Sequence, residues 1–333
     1  VRTKVVWELS KHIPKRYIMT GFPVTENLLE IYSQIKFLDK GQTFGNNYYA
    51  FMNAYFVKIG YKVLPKRNIS KWILKKIQPF CIRITNQSLK LPPSIYKVVT
   101  VEKSKEQSEV LQQLNESFKL EFGKVKIDTQ YIFTLIAKSL QICDGFIQHI
   151  EKDKITKKVI SNNLEVIPTE KDEALLEILE QIDVKRNKVV IWCAFKFTVE
   201  KIKKILMKSN ILALTLTGDT DDVGLVVKKF QTDKRYSVLI ATQQKASESV
   251  TLTSCRYAIY YSSLWSYDSR ANSEARIRRK GSEKHSSIIY IDLIVKGSIE
   301  EKVHNCLHAK GDLISELKNQ FLELGGGESN VVG

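Results

Sequence analysis

The chain has 333 residues, of which 43% are hydrophobic and 26% charged, which suits two packed domains of ordinary size and excludes a wholly disordered chain. Lys and Arg number 52 against 36 Asp and Glu, a formal charge of +16; such a surplus attracts polyanions, nucleic acid above all, although solvated lysine faces account for the same number. Five dispersed cysteines (Cys81, Cys143, Cys193, Cys255 and Cys306) with no C-x-x-C pair argue against a disulfide framework or a zinc ribbon. No apolar run approaches the ~20 residues of a membrane span.

Residues 15–21 read as a short strand ending in a turn before Pro23. Apolar residues at 28, 31, 32, 35 and 38 have helical spacing, so a strand–loop–helix unit is expected at the start. Residues 46–80 combine Tyr48, Tyr49, Phe51, Tyr55, Phe56 and Trp72 with lysines. Such rings can stack on bases, but packing as helix core is the favoured reading. Leu91-Pro92-Pro93 punctuates the chain, and residues 95–101 read as a strand. Ser104 with Gln107 three residues on forms a capping-box pattern for a helix to residue 122. A second helix is expected over 129–150 and a polar connector over 151–168.

From residue 169 the pattern alternates. Thr169, with Asp172 three residues on, is expected to cap a helix. Strands follow at 188–192, 213–216, 237–242, 257–261 and 288–293, separated by helices at 197–209 and around 225–230. A long helix closes the chain at 298–321, and residues 325–330 read as flexible. Strands alternating with helices predict an α/β fold with a parallel sheet covered on both faces.

Residues 274–281, Glu-Ala-Arg-Ile-Arg-Arg-Lys-Gly, carry the strongest chemical signal. On a helix, Arg276 and Arg279 fall at i and i+3 and share a face. Paired arginines can address an anion and, in phosphoryl transfer, spread transition-state charge. A basic helix face making surface ion pairs accounts for the same residues. His304 and His308 lie at i and i+4, but no third metal ligand is evident, so a solvated face is the reading there and no metal is expected.

The order of segments adds a resemblance. Thr20-Gly21-Phe22-Pro23 with Asn27-Leu28-Leu29-Glu30 and Phe37-Leu38-Asp39 closely resembles helicase motif III of the Snf2 family. Phe80-Cys81-Ile82-Arg83 before Leu91-Pro92-Pro93 resembles the family's arginine motif. Residues 189–195 look like motif IV, and Leu216-Thr217-Gly218-Asp219-Thr220 with Phe230-Gln231 like the following block. Residues 241–253 resemble motif V, 274–281 motif VI, and Gly297-Ser298-Ile299-Glu300-Glu301 the segment after it.

The resemblance implies a superfamily 2 motor with two RecA-like lobes and ATP between them. It implies residues 1–45 as the end of the first lobe (motif III), 46–160 as a mainly helical insertion region, 161–322 as the second lobe and 323–333 as a flexible tail. Arg279 is then the arginine finger and Arg276 its partner, with Gly281 beside them at the ATP cleft. Thr20, Gly21 and Pro23 belong to the coupling motif. Thr242, Gln243, Lys245, Arg83 and Thr217 face nucleic acid, with double-stranded DNA the expected track.

The sequence departs from the family at Phe22, Ser249, Asn272 and Ser282. No G-x-x-x-x-G-K-[ST] loop occurs in the 333 residues, and Asp172-Glu173-Ala174-Leu175 imitates a DEAx box only at a helix start, where Asp172 reads as a cap rather than a magnesium ligand. ATP and Mg2+ are therefore expected in a longer parent whose first lobe lies in the same or another chain, and this stretch alone is expected to be inactive. The mid-chain character of Val1-Arg2-Thr3-Lys4 agrees. A standalone nucleic-acid- or partner-binding module is the alternative. A cytoplasmic protein of bacterial or phage origin is expected, or a nuclear one if eukaryotic.

Overall fold

A computed structural model describes residues 2–20, 28–59, 62–81, 90–122, 129–152, 159–246 and 250–309. The chain forms two compact units, Val1–Leu89 and Lys90–Gly333.

The first unit contains α1 (Arg2–Lys11), α2 (Glu30–Asp39), α3 (Tyr48–Tyr55), the hairpin β1 (Phe56–Ile59) and β2 (Lys62–Pro65), and α4 (Ile69–Ile77). The helical spacing predicted from residue 28 onward becomes α2, which buries Ile31, Tyr32 and Ile35. Its end is fixed by Asp39, whose carboxylate accepts from the N–H groups of Gly41 and Thr43 at 2.7 Å each. The aromatic segment is core: Tyr32, Phe44, Phe51 and Phe56 are buried together, and Tyr55 stacks on Trp72 at 4.8 Å. Tyr49 and Phe80 are exceptions and stand exposed.

The strand expected over residues 15–21 is not formed in its described part, residues 15–20, because a strand requires a ladder partner and the only pairing in this unit's described residues is that of β1 with β2. The segment is tied instead by Arg16, whose guanidinium donates to the carbonyls of Leu38 (2.6 Å) and Ser10 (2.8 Å).

The second unit runs β3 (Ser94–Val101), α5 (Lys105–Phe122), α6 (Thr129–Cys143), β4 (Phe146–Lys152), β5 (Val159–Val166), α7 (Lys171–Ile182), β6 (Lys188–Cys193), α8 (Lys196–Lys208), β7 (Ala213–Leu216), α9 (Val223–Thr232), β8 (Val238–Thr242), α10 (Gln243–Ala246), β9 (Cys255–Tyr260), α11 (Tyr267–Ile277), β10 (Ile288–Val295) and α12 (Ile299–Ala309). Six strands form one parallel sheet in the order β3-β10-β9-β6-β8-β7. The strand read at residues 95–101 forms as β3, which pairs along its whole length with β10.

The central strands are apolar at consecutive positions because both faces are covered. Val189, Ile191 and Cys193 pack with Leu175, Leu179, Val199 and Ile202 of α7 and α8. Val190 and Trp192 face Val227 and Phe230 of α9 and Ile277 of α11. Helices α6 and α12 pack on each other through Ile132, Ile136, Leu140, Val303 and Leu307.

The capping box of α5 forms reciprocally: the Gln107 N–H donates to Ser104 Oγ and the Ser104 N–H to Gln107 Oε1, both at 3.0 Å. Helix α6 stops at Cys143 rather than 150. Gly145 follows with φ +84, and a Cβ there would meet the Ile167 carbonyl oxygen at 2.8 Å. That close passage lets β4 and β5 pair antiparallel, so a hairpin replaces the end of the expected helix and much of the connector. Asp172 is not a cap. Its Oδ1 accepts from Tyr261 OH (2.6 Å) and Lys201 Nζ (2.7 Å), because two donors arriving from β9's end and α8 outcompete a local backbone N–H.

Candidate functional site

Helix α11 follows β9 and returns to the amino end of the sheet, where it stops at Ile277. The expectation that Arg276 and Arg279 share a continuous helix face is therefore corrected: Arg276 lies in the last turn of α11 and Arg279 lies beyond it. The stop has local causes. The Arg276 carbonyl accepts from the Leu252 N–H at 2.8 Å, and the Arg279 carbonyl from the Ser282 N–H at 2.9 Å. Gly281 closes the turn at φ +103, with the Thr253 side chain 3.4 Å from where a Cβ would sit. Its N–H donates to Glu283 Oε2 at 2.6 Å.

The neighbouring strand starts complete the loop's support. Arg278 Nε donates to the Pro92 carbonyl at 2.7 Å, which ties the Leu-Pro-Pro segment to the arginine segment. Gln231 Nε2 donates to the Thr251 carbonyl at 2.7 Å, and Arg279 Nη1 to the Val250 carbonyl at 3.4 Å. Partial burial and then the charge of Arg279 hold the Arg276 pKa below the ordinary arginine range. The charge of Arg279 thus acts on Arg276 at a turn held by backbone hydrogen bonds. Glu274 in the same helix faces the other way, accepting from Tyr96 OH at 2.9 Å; burial and then that carboxylate push the Tyr96 pKa up to about 12.

Of the residues expected to face nucleic acid, those that are described lie at the opposite, carboxyl edge of the sheet. Thr217 follows β7, Thr242 ends β8, and Gln243 and Lys245 lie in α10. Thr217 is nearly buried and organises its turn, its N–H donating to Thr220 Oγ1 at 2.9 Å and its Oγ1 accepting from the Asp219 N–H at 3.3 Å. Thr242 and Gln243 are buried. Gln243 Oε1 accepts from the Leu264 N–H at 2.6 Å, so this side chain is an internal strut between loops rather than a surface group. Lys245 is half-buried. Lys196, just after β6, pairs with Asp219 at 2.6 Å in the open. Thr20 is exposed. Gly21, Pro23 and Arg83, with Phe22 and Ser249, lie outside the described residues. Asn272 is half-buried on α11, and the hydroxyl of Ser282 is buried with no hydrogen-bond partner.

Sequence reasoning missed two buried ionic groups. Lys171 is fully buried with its Nζ 2.7 Å from Glu300 Oε1 and 3.3 Å from Asp144 Oδ1. Asp144 Oδ2 accepts from Thr198 Oγ1 and Ser262 Oγ at 2.7 Å each. Burial works against the Lys171 ammonium, but Glu300 and Asp144 outweigh it and hold its pKa above the lysine range. Arg270 grips both oxygens of Asp292, reaches Glu274 Oε1 at 2.7 Å and lies 3.5 Å over the Tyr260 ring. The i, i+4 spacing of Arg270 and Glu274 was a legible hint; nothing near Lys171 in the sequence announces its partners.

The SNF2-related domain profile matches residues 2–166, and the helicase conserved C-terminal domain profile residues 170–281. The chain belongs to the Snf2 family of superfamily 2. This Snf2-family chain is 23% identical, over 94% of its length, to the TATA-binding protein-associated factor mot1 of Aspergillus fumigatus, and it spans 18% of that protein. It spans less than a quarter of the curated relatives it matches. Its fold matches the Sulfolobus solfataricus SWI2/SNF2 ATPase core in complex with dsDNA, at TM-score 0.52 and 22% identity over 92% of this chain and 64% of that one. It also matches the C-terminal part of the Fun30 ATPase domain, at TM-score 0.51 and 17% identity over 71% and 97%. The six-stranded sheet is thus a RecA-like helicase lobe, and β3 is part of it. No helix among the described residues is long and apolar enough to cross a membrane.

Proposed function

We propose that this chain is the arginine-donating part of an ATP-dependent DNA translocase. The observation that carries the reading is the juxtaposition of Arg276 and Arg279 on a turn braced by Val250, Leu252 and Gly281. Arg279 is the arginine finger and Arg276 orients the same phosphates, with Gly281 setting the turn that aims them. The ATP phosphates and Mg2+ are held by a first RecA-like lobe, since the 333 residues contain no phosphate-cradling loop of the G-x-x-x-x-G-K-[ST] type. Residues 1–45 end that first lobe, with Thr20, Gly21 and Pro23 in its coupling motif. The helical stretch that follows, together with Arg83, flanks the track, and the second lobe takes in β3 to α12.

The track is duplex DNA. The reading rests on the +16 charge and on the likeness to the Sulfolobus ATPase core, which is itself in complex with dsDNA. Thr217 and Lys245 serve at the carboxyl edge, where ligands of open α/β sheets bind. Thr242 and Gln243 act there by fixing the backbone, since both side chains are buried.

The test is ATP hydrolysis by this chain, alone and joined to an N-terminal lobe bearing the phosphate-binding loop, with and without duplex DNA. Turnover by the joined protein only, stimulated by duplex and abolished in Arg279→Ala, is the expected result. Duplex binding without turnover in either form instead supports a binding module.

A further inference from the structure

His304 and His308 stand one turn apart on α12, with ring centroids 4.2 Å apart. The fold supplies the third group that the sequence did not reveal. Asp292, in β10, lies beneath that face of the helix, with Oδ2 3.8 Å from His304 Nδ1. One donor atom from each of the three residues lies within 4.8 Å of the other two. We infer that Asp292, His304 and His308 form a binding site for a divalent transition-metal ion of the zinc class, which fastens α12 to β10.

The donor set selects the ion. Two imidazoles and one carboxylate suit zinc or its neighbours, whereas calcium and magnesium prefer all-oxygen sites. Bonds of ~2.0–2.1 Å in a tetrahedron place the donors roughly 3.3 Å apart. Contraction from separations of up to 4.8 Å takes up to about 1.5 Å of movement, most of which side-chain rotation of the exposed His308 supplies. His308 is already oriented by an edge-on contact with Tyr96 at 5.8 Å and 89°.

Asp292 is oriented by Arg270, which donates to both of its oxygens. Each carboxylate oxygen keeps a second lone pair, so the guanidinium can remain as an outer partner that orients the ligand. Its charge also works against the ion, which sets a moderate rather than a very tight affinity. A cavity of about 10 Å³ touches Asp292, His304, Ser263 and Glu300, close to the room that one coordinated water requires. The inference is independent of the translocase reading, since it uses none of the residues at the ATP cleft or the track.

The experiment is a titration of the tag-free 333-residue chain with Zn2+ in competition with a chromophoric chelator, and with Co2+ read by visible absorption. One equivalent bound at micromolar or lower concentration is expected, with affinity reduced at least ~10-fold in His308→Ala and in His304→Gln. Wild type is expected to melt higher with Zn2+ and the variants to ignore it. His308 is exposed, so its replacement leaves the fold intact, which circular dichroism checks. Cys81, the exposed thiol, is replaced by Ser in a control that is expected to keep the ion. No uptake by wild type, unchanged uptake by His308→Ala, or loss of uptake in Cys81→Ser overturns the site.

Discussion

Lys171 is fully buried between Asp144 and Glu300, whereas Arg276 and Arg279 stand half-exposed beside each other at the amino edge of the same sheet. In the first region Asp144, from the turn after α6, and Glu300, from α12, converge to neutralise one ammonium on α7. In the second, backbone hydrogen bonds brace a turn that keeps two like charges close. The difference separates charges that hold the fold from charges held by it. A buried ion pair offers no surface to a ligand, and its integrity depends on every member. A half-exposed pair of cations on a braced turn leaves its guanidinium groups within reach of an anion.

Breaking the second region is expected to give the largest effect. Arg279→Ala in the complete motor should lower kcat by roughly 10³–10⁵-fold, while the urea midpoint of the chain stays where it is. A midpoint that falls with the activity would make Arg279 a structural residue and sink the contrast.

Lys171→Met tests the first region. It leaves two buried carboxylates without their cation, and a loss of about 3–5 kcal/mol is expected from urea unfolding. The pH dependence has a definite sign. The Lys171 pKa is raised above its ordinary 10.5, so its contribution is complete below that value and disappears as the pH climbs through the higher folded value. Glu300, raised above 4.5 by burial despite Lys171, acts in the same sense in a lower window, stability falling as the pH rises from the ordinary carboxylate range through its higher folded value. The wild type should therefore lose stability in strong alkali, and Lys171→Met should lack that alkaline component.

Gly281→Ala sharpens the comparison from the backbone side. A non-glycine residue at φ +103 costs about 1–2 kcal/mol, so a modest loss of stability is expected with a larger loss of ATPase, because the turn carries Arg279. Equal effects of Gly281→Ala and Lys171→Met on stability would show that the turn is part of the core.

The smallest effect concerns the thiols. Cys255 is pushed up to about 12, chiefly by burial, and burial likewise raises Cys143 and Cys193. A thiol reagent at neutral pH should label Cys81 quickly and these three only after unfolding. Rapid modification of Cys255 in the native state would mean that the sheet's amino edge opens readily, removing the rigidity that the arginine turn requires.

Much of this was legible. The largely apolar stretches at 188–192, 237–242, 257–261 and 288–293, alternating with helical segments, announced the parallel sheet, whose strands are observed close to those bounds. Ser104 and Gln107 announced the start of α5 because a capping box is local chemistry. The hairpin of β4 and β5 was not legible: Gln148, His149, Asn162 and Asn163 carry no alternating apolar pattern, and the pairing is made by backbone groups. Asp172 was misread because its real partners, Tyr261 and Lys201, are 89 and 29 residues away in the chain.

By itself, the sequence determined the family and the α/β class, both of which depend on local pattern and on the order of short motifs. Tertiary structure alone decided that β3 joins the sheet, that α11 stops at Ile277 to leave Arg279 on a turn, that Gln243 points inward, and that Asp292 meets His304 and His308. Each of these rests on contacts between residues far apart in the chain. Their energies come from backbone pairing and burial, which any one stretch of sequence carries only in part.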